Sequence, residues 1–160
     1  MDRARSIETR STRLRRLVPA PRARIYRTML DPAALPRWKV PEGMDLEVHQ
    51  WEPREGGRLR ISLSYRDLAA TGKTTLHTDT YHGQFVRLIP NELIVERDEF
   101  EADDPALRGA MTITIALADA EGGTELVATH AGVPAGVSLA DNETGWRMAL
   151  DKLTALVCGP

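Results

Sequence analysis

Residues 146–157 read WRMALDKLTALV, and their apolar side chains recur with helical spacing. Positions i, i+3, i+4, i+7 and i+11 of this segment form one apolar stripe, which consists of Trp146, Ala149, Leu150, Leu153 and Val157. Charged residues occupy the opposite face, and Gly159-Pro160 ends the pattern. The segment therefore predicts a long amphipathic helix near the C-terminus.

Upstream of this helix the apolar residues change to the two-residue period of β-strands. The clearest alternation is RLRISLSY at residues 58–65, where Leu59, Ile61, Leu63 and Tyr65 share one face. Two further alternating segments flank Gly122-Gly123 in MTITIALADAEGGTELVATH, residues 111–130, which is typical of a β-hairpin. Additional strands are predicted at residues 12–18, 45–52, 76–89 and 93–100.

Two short helices are predicted after the first strand. One follows Pro21, and the other begins at Asp31-Pro32, with Asp31 as its cap, and ends near Trp38. Successive strands with short turns favour an antiparallel sheet. One helix is too narrow to cover seven strands, so the sheet must curl. The rest of its concave face must be filled by the short helices, by side chains or by a ligand.

The 160 residues fit a single domain, predicted at residues 11–160, after a poorly ordered arm at residues 1–10. The net charge of −2 predicts no general attraction to nucleic acid, and the apolar runs are too short to insert into a membrane. The only cysteine, Cys158, cannot form an internal disulfide, which favours a cytoplasmic protein. A monomer and a homodimer both remain open.

A family resemblance follows from the order of several short motifs. They are VPAPRARIYRTMLDPAALPRW at residues 18–38, Gly56-Gly57, Gly83 with Pro90, GGTELVATHAGVP at residues 122–134, and GWRMALDKL at residues 145–153. Together they resemble the SRPBCC (START-like) superfamily. More narrowly, they resemble the family named for the activator of heat-shock protein 90 ATPase, C-terminal domain homologues. The likeness spans roughly residues 12–157.

The resemblance implies an α+β helix-grip fold of the START-like or Bet v-like kind, with about seven antiparallel strands curved around the C-terminal helix. Relatives range over lipid carriers, cyclases, hydratases, hormone receptors and co-chaperone domains, so the fold is implied more strongly than any function. One position departs from the pattern. Many relatives have a second aromatic residue where this chain has Lys39, at the expected mouth of a cavity.

Nine residues are candidates to line this cavity and bind a ligand, and plain core packing is the alternative for each. They are Trp38, Leu63, Tyr65, Tyr81, Met111, Ile113, His130, Trp146 and Leu150.

Two titratable residues are weak candidates for acid–base chemistry. His130 shares a strand face with Leu126 and Ala128, although a hydrogen-bonded core histidine is the favoured interpretation. Asp98 lies in the charged strand Glu96–Phe100, for which an exposed convex face with surface ion pairs is favoured over an inward acid. The histidine spacings match no metal site, and no nucleotide-binding or GxSxG motif occurs, so neither metal nor cofactor is predicted.

Three functions follow as hypotheses. The leading one is a domain that binds a small hydrophobic or amphipathic molecule. The first alternative is a cyclase- or hydratase-type enzyme that uses His130, Tyr65 and Asp98. The second is a chaperone-associated interaction module, to which we give low weight. Whether the protein is an enzyme stays open at this point, with binding favoured.

Overall fold

The computed structural model describes residues 10–67 and 77–159. Within them, seven strands form one sheet: β1 (Ser11–Val18), β2 (Met44–Trp51), β3 (Arg58–Tyr65), β4 (Thr78–Ile89), β5 (Leu93–Phe100), β6 (Met111–Ala120) and β7 (Gly123–Ala131). The helices are α1 (Arg22–Leu30), α2 (Leu35–Trp38) and α3 (Leu139–Cys158), with a 3-10 turn at Pro105–Leu107.

All neighbouring strands pair antiparallel, in the order β1-β7-β6-β5-β4-β3-β2. The β6–β7 hairpin turns at Gly122-Gly123 and aligns Ile113 with His130. A side chain at Gly123 would place its Cβ 2.2 Å from the Val18 carbonyl oxygen, so only glycine fits where β1 ends against this turn. The sheet confirms the predicted helix-grip α+β fold.

The long helix α3 packs against the sheet through the predicted stripe. It begins at Leu139, well before Trp146, and the Ser138 hydroxyl caps it by accepting from the Asp141 backbone N–H at 3.2 Å. Its buried residues join one core with side chains from α1, α2 and the sheet. Members of this core include Ile25, Leu35, Trp38, Phe85, Leu126, Leu150, Leu153 and Val157.

Two sequence predictions need correction near the N-terminal end. The second short helix starts at Leu35, and Asp31 instead accepts a hydrogen bond from the Ala33 backbone N–H in the preceding turn. Arg10, assigned to a poorly ordered arm, donates to the carbonyls of Val133 and Pro134 at 2.9 and 3.0 Å. The rest of that predicted arm lies outside the described residues, as does residue 76, the first position of the strand predicted at 76–89.

None of the helices in the described ranges has the length and apolar character required to cross a membrane.

Candidate functional site: a cavity between sheet and helix

A cavity of about 590 Å³ lies between the concave face of the sheet and the N-terminal half of α3. Its volume falls in the range of small-molecule sites. Apolar side chains make up much of its wall: Met44, Leu63, Phe100, Met111, Ile113, Val133, Val137, Trp146, Met148 and Ala149. Polar and charged groups also line it, from the sheet, from the segment after α2, from the residue before α3 and from α3: Lys39, Glu42, Tyr65, Asp79, Tyr81, Asp98, His130, Ser138, Asp141, Asn142 and Thr144. The site is thus an apolar container with a polar region.

Seven of the nine predicted ligand-binding residues line this cavity: Leu63, Tyr65, Tyr81, Met111, Ile113, His130 and Trp146. The other two, Trp38 and Leu150, do not line it, because both are buried in the core. On α3, Trp146 and Ala149 face the cavity while Leu150 packs into the core, a distinction that helical spacing alone does not make. Ligand binding by the seven lining residues stays a prediction.

His130 is held by neighbours on α3 and β6. Its Nδ1 accepts from the Trp146 indole N–H at 3.0 Å and lies 3.3 Å from the Asn142 amide nitrogen. Since the indole can only donate, Nδ1 carries no proton and Nε2 carries the hydrogen, which faces the Met111 sulfur at 3.1 Å. Burial, and then the positive charge of Lys39, lower the pKa of His130 to about 4. The ring is therefore neutral at pH 7, with its lone pair already engaged.

Two acids of the charged strand β5 face the interior of the protein. Glu96 is 4% and Asp98 is 1% exposed, whereas Arg97 and Glu99 face solvent. The exposed convex face favoured for this strand is therefore wrong for Glu96 and Asp98. The physical reason is Lys39, whose ammonium group lies beside Glu96 on the inner face of the sheet and provides a positive charge there.

Lys39 and Glu96 form a buried ion pair. The Lys39 Nζ lies 3.1 Å from Glu96 Oε2, with only 12% and 5% of the two side chains exposed, and 5.6 Å from the centre of the Trp51 ring. Burial is the largest single effect and lowers the pKa of Lys39, but Glu96, Tyr81 and Asp98 together outweigh it, so the pKa of Lys39 is raised. The lysine remains protonated.

Asp98 lies beside this pair, and neither of its carboxyl oxygens accepts a hydrogen bond from a donor among the described residues, although its carboxyl is within hydrogen-bonding reach of Glu96. Burial raises the pKa of Asp98 well above its usual range, and the negative charge of Glu96 raises it further. Gly83, the cross-strand neighbour of Asp98, makes room for the carboxyl: a Cβ there would lie 2.0 Å from Asp98 Oδ1. The geometry and the pKa shift together favour a neutral carboxylic acid at the cavity wall.

Tyr81 completes what we call the polar cluster: Lys39, Tyr81, Glu96 and Asp98. Burial raises the pKa of the Tyr81 phenol, with Lys39 opposing the shift, so the hydroxyl stays protonated. Lys39, Tyr81 and Asp98 line the cavity. Glu96 does not line it, but it forms the ion pair with Lys39. Sequence reasoning missed Lys39 and Glu96 as members of a site. The lysine in place of an aromatic residue was the available signal.

The outer face of the same strands carries a different arrangement. Arg60 donates two hydrogen bonds to Glu101, at 2.8 and 2.9 Å, and Glu101 also lies 3.1 Å from His82 Nδ1. The hydrogen bonds from Arg60 chiefly lower the pKa of Glu101, to about 2. These groups border an outer depression of about 490 Å³ with predominantly polar lining.

Among the residues that the structure describes, no three or more His, Cys, Asp or Glu side chains are grouped so as to hold a metal ion.

The fold and the cavity define a helix-grip domain of the ligand-binding or interaction class. Residues 19–158 match the family described as Activator of Hsp90 ATPase homolog 1-like protein, and the chain belongs to that family. No curated protein matched the sequence.

Solved structures extend the likeness over nearly the whole chain. An X-ray structure of a protein from Chromobacterium violaceum is 32% identical, covers 95% of this chain and 99% of that chain, and has a TM-score of 0.85. A protein from Rhodobacter sphaeroides is 21% identical, with coverages of 91% and 90% and a TM-score of 0.75. The AHSA1-like protein from Aeromonas hydrophila, solved by NMR, is 17% identical, with coverages of 92% and 91% and a TM-score of 0.69. The last two share the fold alone.

Proposed function

We propose that this protein binds one small amphipathic molecule in the cavity between the sheet and α3. The single observation that carries the proposal is the buried carboxyl of Asp98 at the wall of a largely apolar cavity, because neither of its oxygens accepts a hydrogen bond in the described part of the chain. A buried polar group without a partner costs free energy, and a ligand that hydrogen-bonds to it recovers that cost. The apolar walls would hold the remainder of the same ligand.

The test is binding of Nile red, an uncharged apolar dye, to the purified protein and to two tryptophan variants. Leu63→Trp fills the cavity from β3, whereas Val86→Trp adds the same bulk on the outer face, where Val86 is exposed. We expect saturable one-to-one binding that Leu63→Trp weakens at least tenfold and Val86→Trp leaves unchanged. Equal binding by all three proteins would place the dye elsewhere and refute the proposal.

The enzyme alternative is favoured by one observation: its three candidates, Tyr65, Asp98 and His130, line the same cavity. A neutral Asp98 is a proton donor, as a hydratase requires, whereas His130 has its lone pair engaged by Trp146 and is a poor base. Hydration of a short enoyl thioester tests this alternative. The reaction is monitored by the loss of the absorbance of the conjugated double bond. Turnover abolished in Asp98→Asn supports it, and the absence of turnover in the wild-type protein removes it for that substrate class.

The proposal extends to location and partners. The single cysteine, Cys158, fits a cytoplasmic protein, and the ligand is the main partner we infer. Binding to the Hsp90 chaperone, which the family description suggests, is an alternative that a pull-down with purified chaperone would test.

A further inference from the structure

The one lysine in the described lining of the cavity is paired before any ligand enters. Lys39 is the only lysine or arginine among the described lining residues, and its ammonium group is already paired with Glu96 at 3.1 Å. His130, the other basic group on the wall, is neutral because burial lowers its pKa to about 4. The cavity therefore offers no uncompensated positive charge within the described lining.

The remaining titratable groups on the wall are acids. Asp98 lines the cavity, and neither of its oxygens accepts a hydrogen bond within the described ranges; Asp79 lines the cavity on the neighbouring strand β4. A ligand carboxylate placed here would lie beside Asp98, and the described lining offers it no unpaired cation. Burying an unpaired charge is among the largest costs in a protein interior, so the anion would be excluded.

An uncharged head group avoids the cost of burying an unpaired charge. A hydroxyl or a primary amide both donates and accepts hydrogen bonds, and a neutral carboxylic acid offers one donor and one acceptor in return. The Tyr81 hydroxyl lies on the same wall. Such a head group would satisfy Asp98 and leave the Lys39–Glu96 pair intact.

We propose that the cavity selects amphipathic molecules with an uncharged hydrogen-bonding head group, an alcohol or a primary amide, and rejects fatty-acid anions of the same chain length. The selectivity rests on the proposed function and specifies its ligand class. The residues that set it are Lys39, Glu96 and Asp98.

The experiment compares the affinities of the purified full chain for decan-1-ol and for decanoate. They are measured by calorimetry at pH 7, with each probe below the concentration at which micelles form. We expect decan-1-ol to bind at least tenfold more tightly than decanoate. Equal or tighter binding of decanoate would overturn the selectivity alone and leave the proposed function standing. Binding of neither probe, together with no Nile red binding, would overturn both.

Glu96→Gln tests the origin of the selectivity. Removal of the carboxylate frees the Lys39 charge, so decanoate should gain at least tenfold in affinity and the preference should shrink or reverse. Glu99→Gln removes an acid from the exposed side of the same strand and should leave the ratio unchanged. An unchanged ratio in folded Glu96→Gln would refute the role of the ion pair. If that variant does not fold, the wild-type ratio still decides the selectivity.

Discussion

Two carboxylate–cation pairs on opposite faces of one sheet differ in almost every physical respect. On the outer face, Arg60 and Glu101 are 44% and 30% exposed, and Glu101 is also bonded to His82. On the inner face, Lys39 and Glu96 are 12% and 5% exposed, and neither oxygen of the neighbouring Asp98 accepts a hydrogen bond in the described chain. Hydrogen bonds lower the pKa of Glu101, while burial raises the pKa of Asp98. The pKa of a carboxyl group is thus shifted in opposite directions on the two faces of one sheet.

The difference separates charges that the fold can lose from charges that it must keep paired. Water screens the outer pair and can replace either partner. The inner pair has no such substitute, because removal of one partner leaves an uncompensated charge in the protein interior. We therefore expect large, asymmetric effects from inner substitutions and small effects from outer ones.

The largest effect is expected from Lys39→Met, which leaves Glu96 buried without its cation. The free energy of unfolding should fall by about 3–5 kcal/mol, measured by urea denaturation at pH 7. The double variant Lys39→Met with Glu96→Gln should recover most of the loss, because no unpaired charge remains. A double variant as unstable as the single one would show that the lysine acts through packing instead.

The next effect is a pH dependence that Asp98 masks. Burial lowers the pKa of His130 to about 4, so between pH 6.5 and pH 4 the unfolded chain binds a proton that the folded chain does not. This alone should lower the free energy of unfolding by about 3 kcal/mol as the pH falls across that window. Asp98 acts in the opposite direction, because its raised pKa lets the folded state keep a proton that the unfolded state releases.

In Asp98→Asn the free energy of unfolding should therefore fall at acid pH by the full amount that His130 causes. In the wild-type protein the fall should be smaller. Urea denaturation at pH 6.5 and pH 4 measures both. Glu101 does not produce the contrast, since its stabilisation is lost only below its ordinary pKa, toward pH 2, and equally in both proteins. Parallel stability curves would contradict the assignment of Asp98.

A smaller effect is expected from Asp98→Asn at pH 7. The amide keeps the shape of the carboxyl. It removes the free-energy cost of keeping this carboxyl protonated at pH 7. The variant should be more stable than the wild-type protein by at least about 1 kcal/mol, measured by thermal and urea denaturation. Asp103→Asn, at an exposed position of a loop, is a suitable control for general charge effects. A destabilised Asp98→Asn would indicate a carboxylate that is ionised and held by favourable contacts.

The smallest effect is expected on the outer face. Arg60→Met removes the two hydrogen bonds to Glu101, and the urea midpoint should stay close to that of the wild-type protein because water takes their place. NMR titration should show the pKa of Glu101 rising from about 2 toward its ordinary value. A loss of stability like that of Lys39→Met would remove the contrast between the two faces.

The fold was predictable because its main signals are local. The alternation at Leu59–Tyr65, the β6–β7 hairpin and the stripe from Trp146 to Val157 each occupy one continuous segment, and all three are confirmed. Local periodicity sets the facing of a strand when only one of its faces is apolar.

The polar cluster could not be predicted in the same way. In β5, Ile94 and Phe100 share a face with Glu96 and Asp98, while Leu93 and Val95 share the opposite face with Arg97. The apolar residues are therefore balanced between the faces, and alternation cannot choose. The choice is made by Lys39, which is distant in sequence and was noted only as a departure from the family pattern.

Gly83 also bears on how the site could change over evolution or by design. Its missing side chain is the space in which the Asp98 carboxyl lies, so the two positions form one steric unit. Replacement of Asp98 by a smaller residue opens room above Gly83. Even then, a Cβ at position 83 lies 2.3 Å from the Arg97 carbonyl oxygen, so the β4–β5 backbone must separate before a new side chain fits. A redesigned ligand preference is therefore reached more directly through position 98 than through position 83.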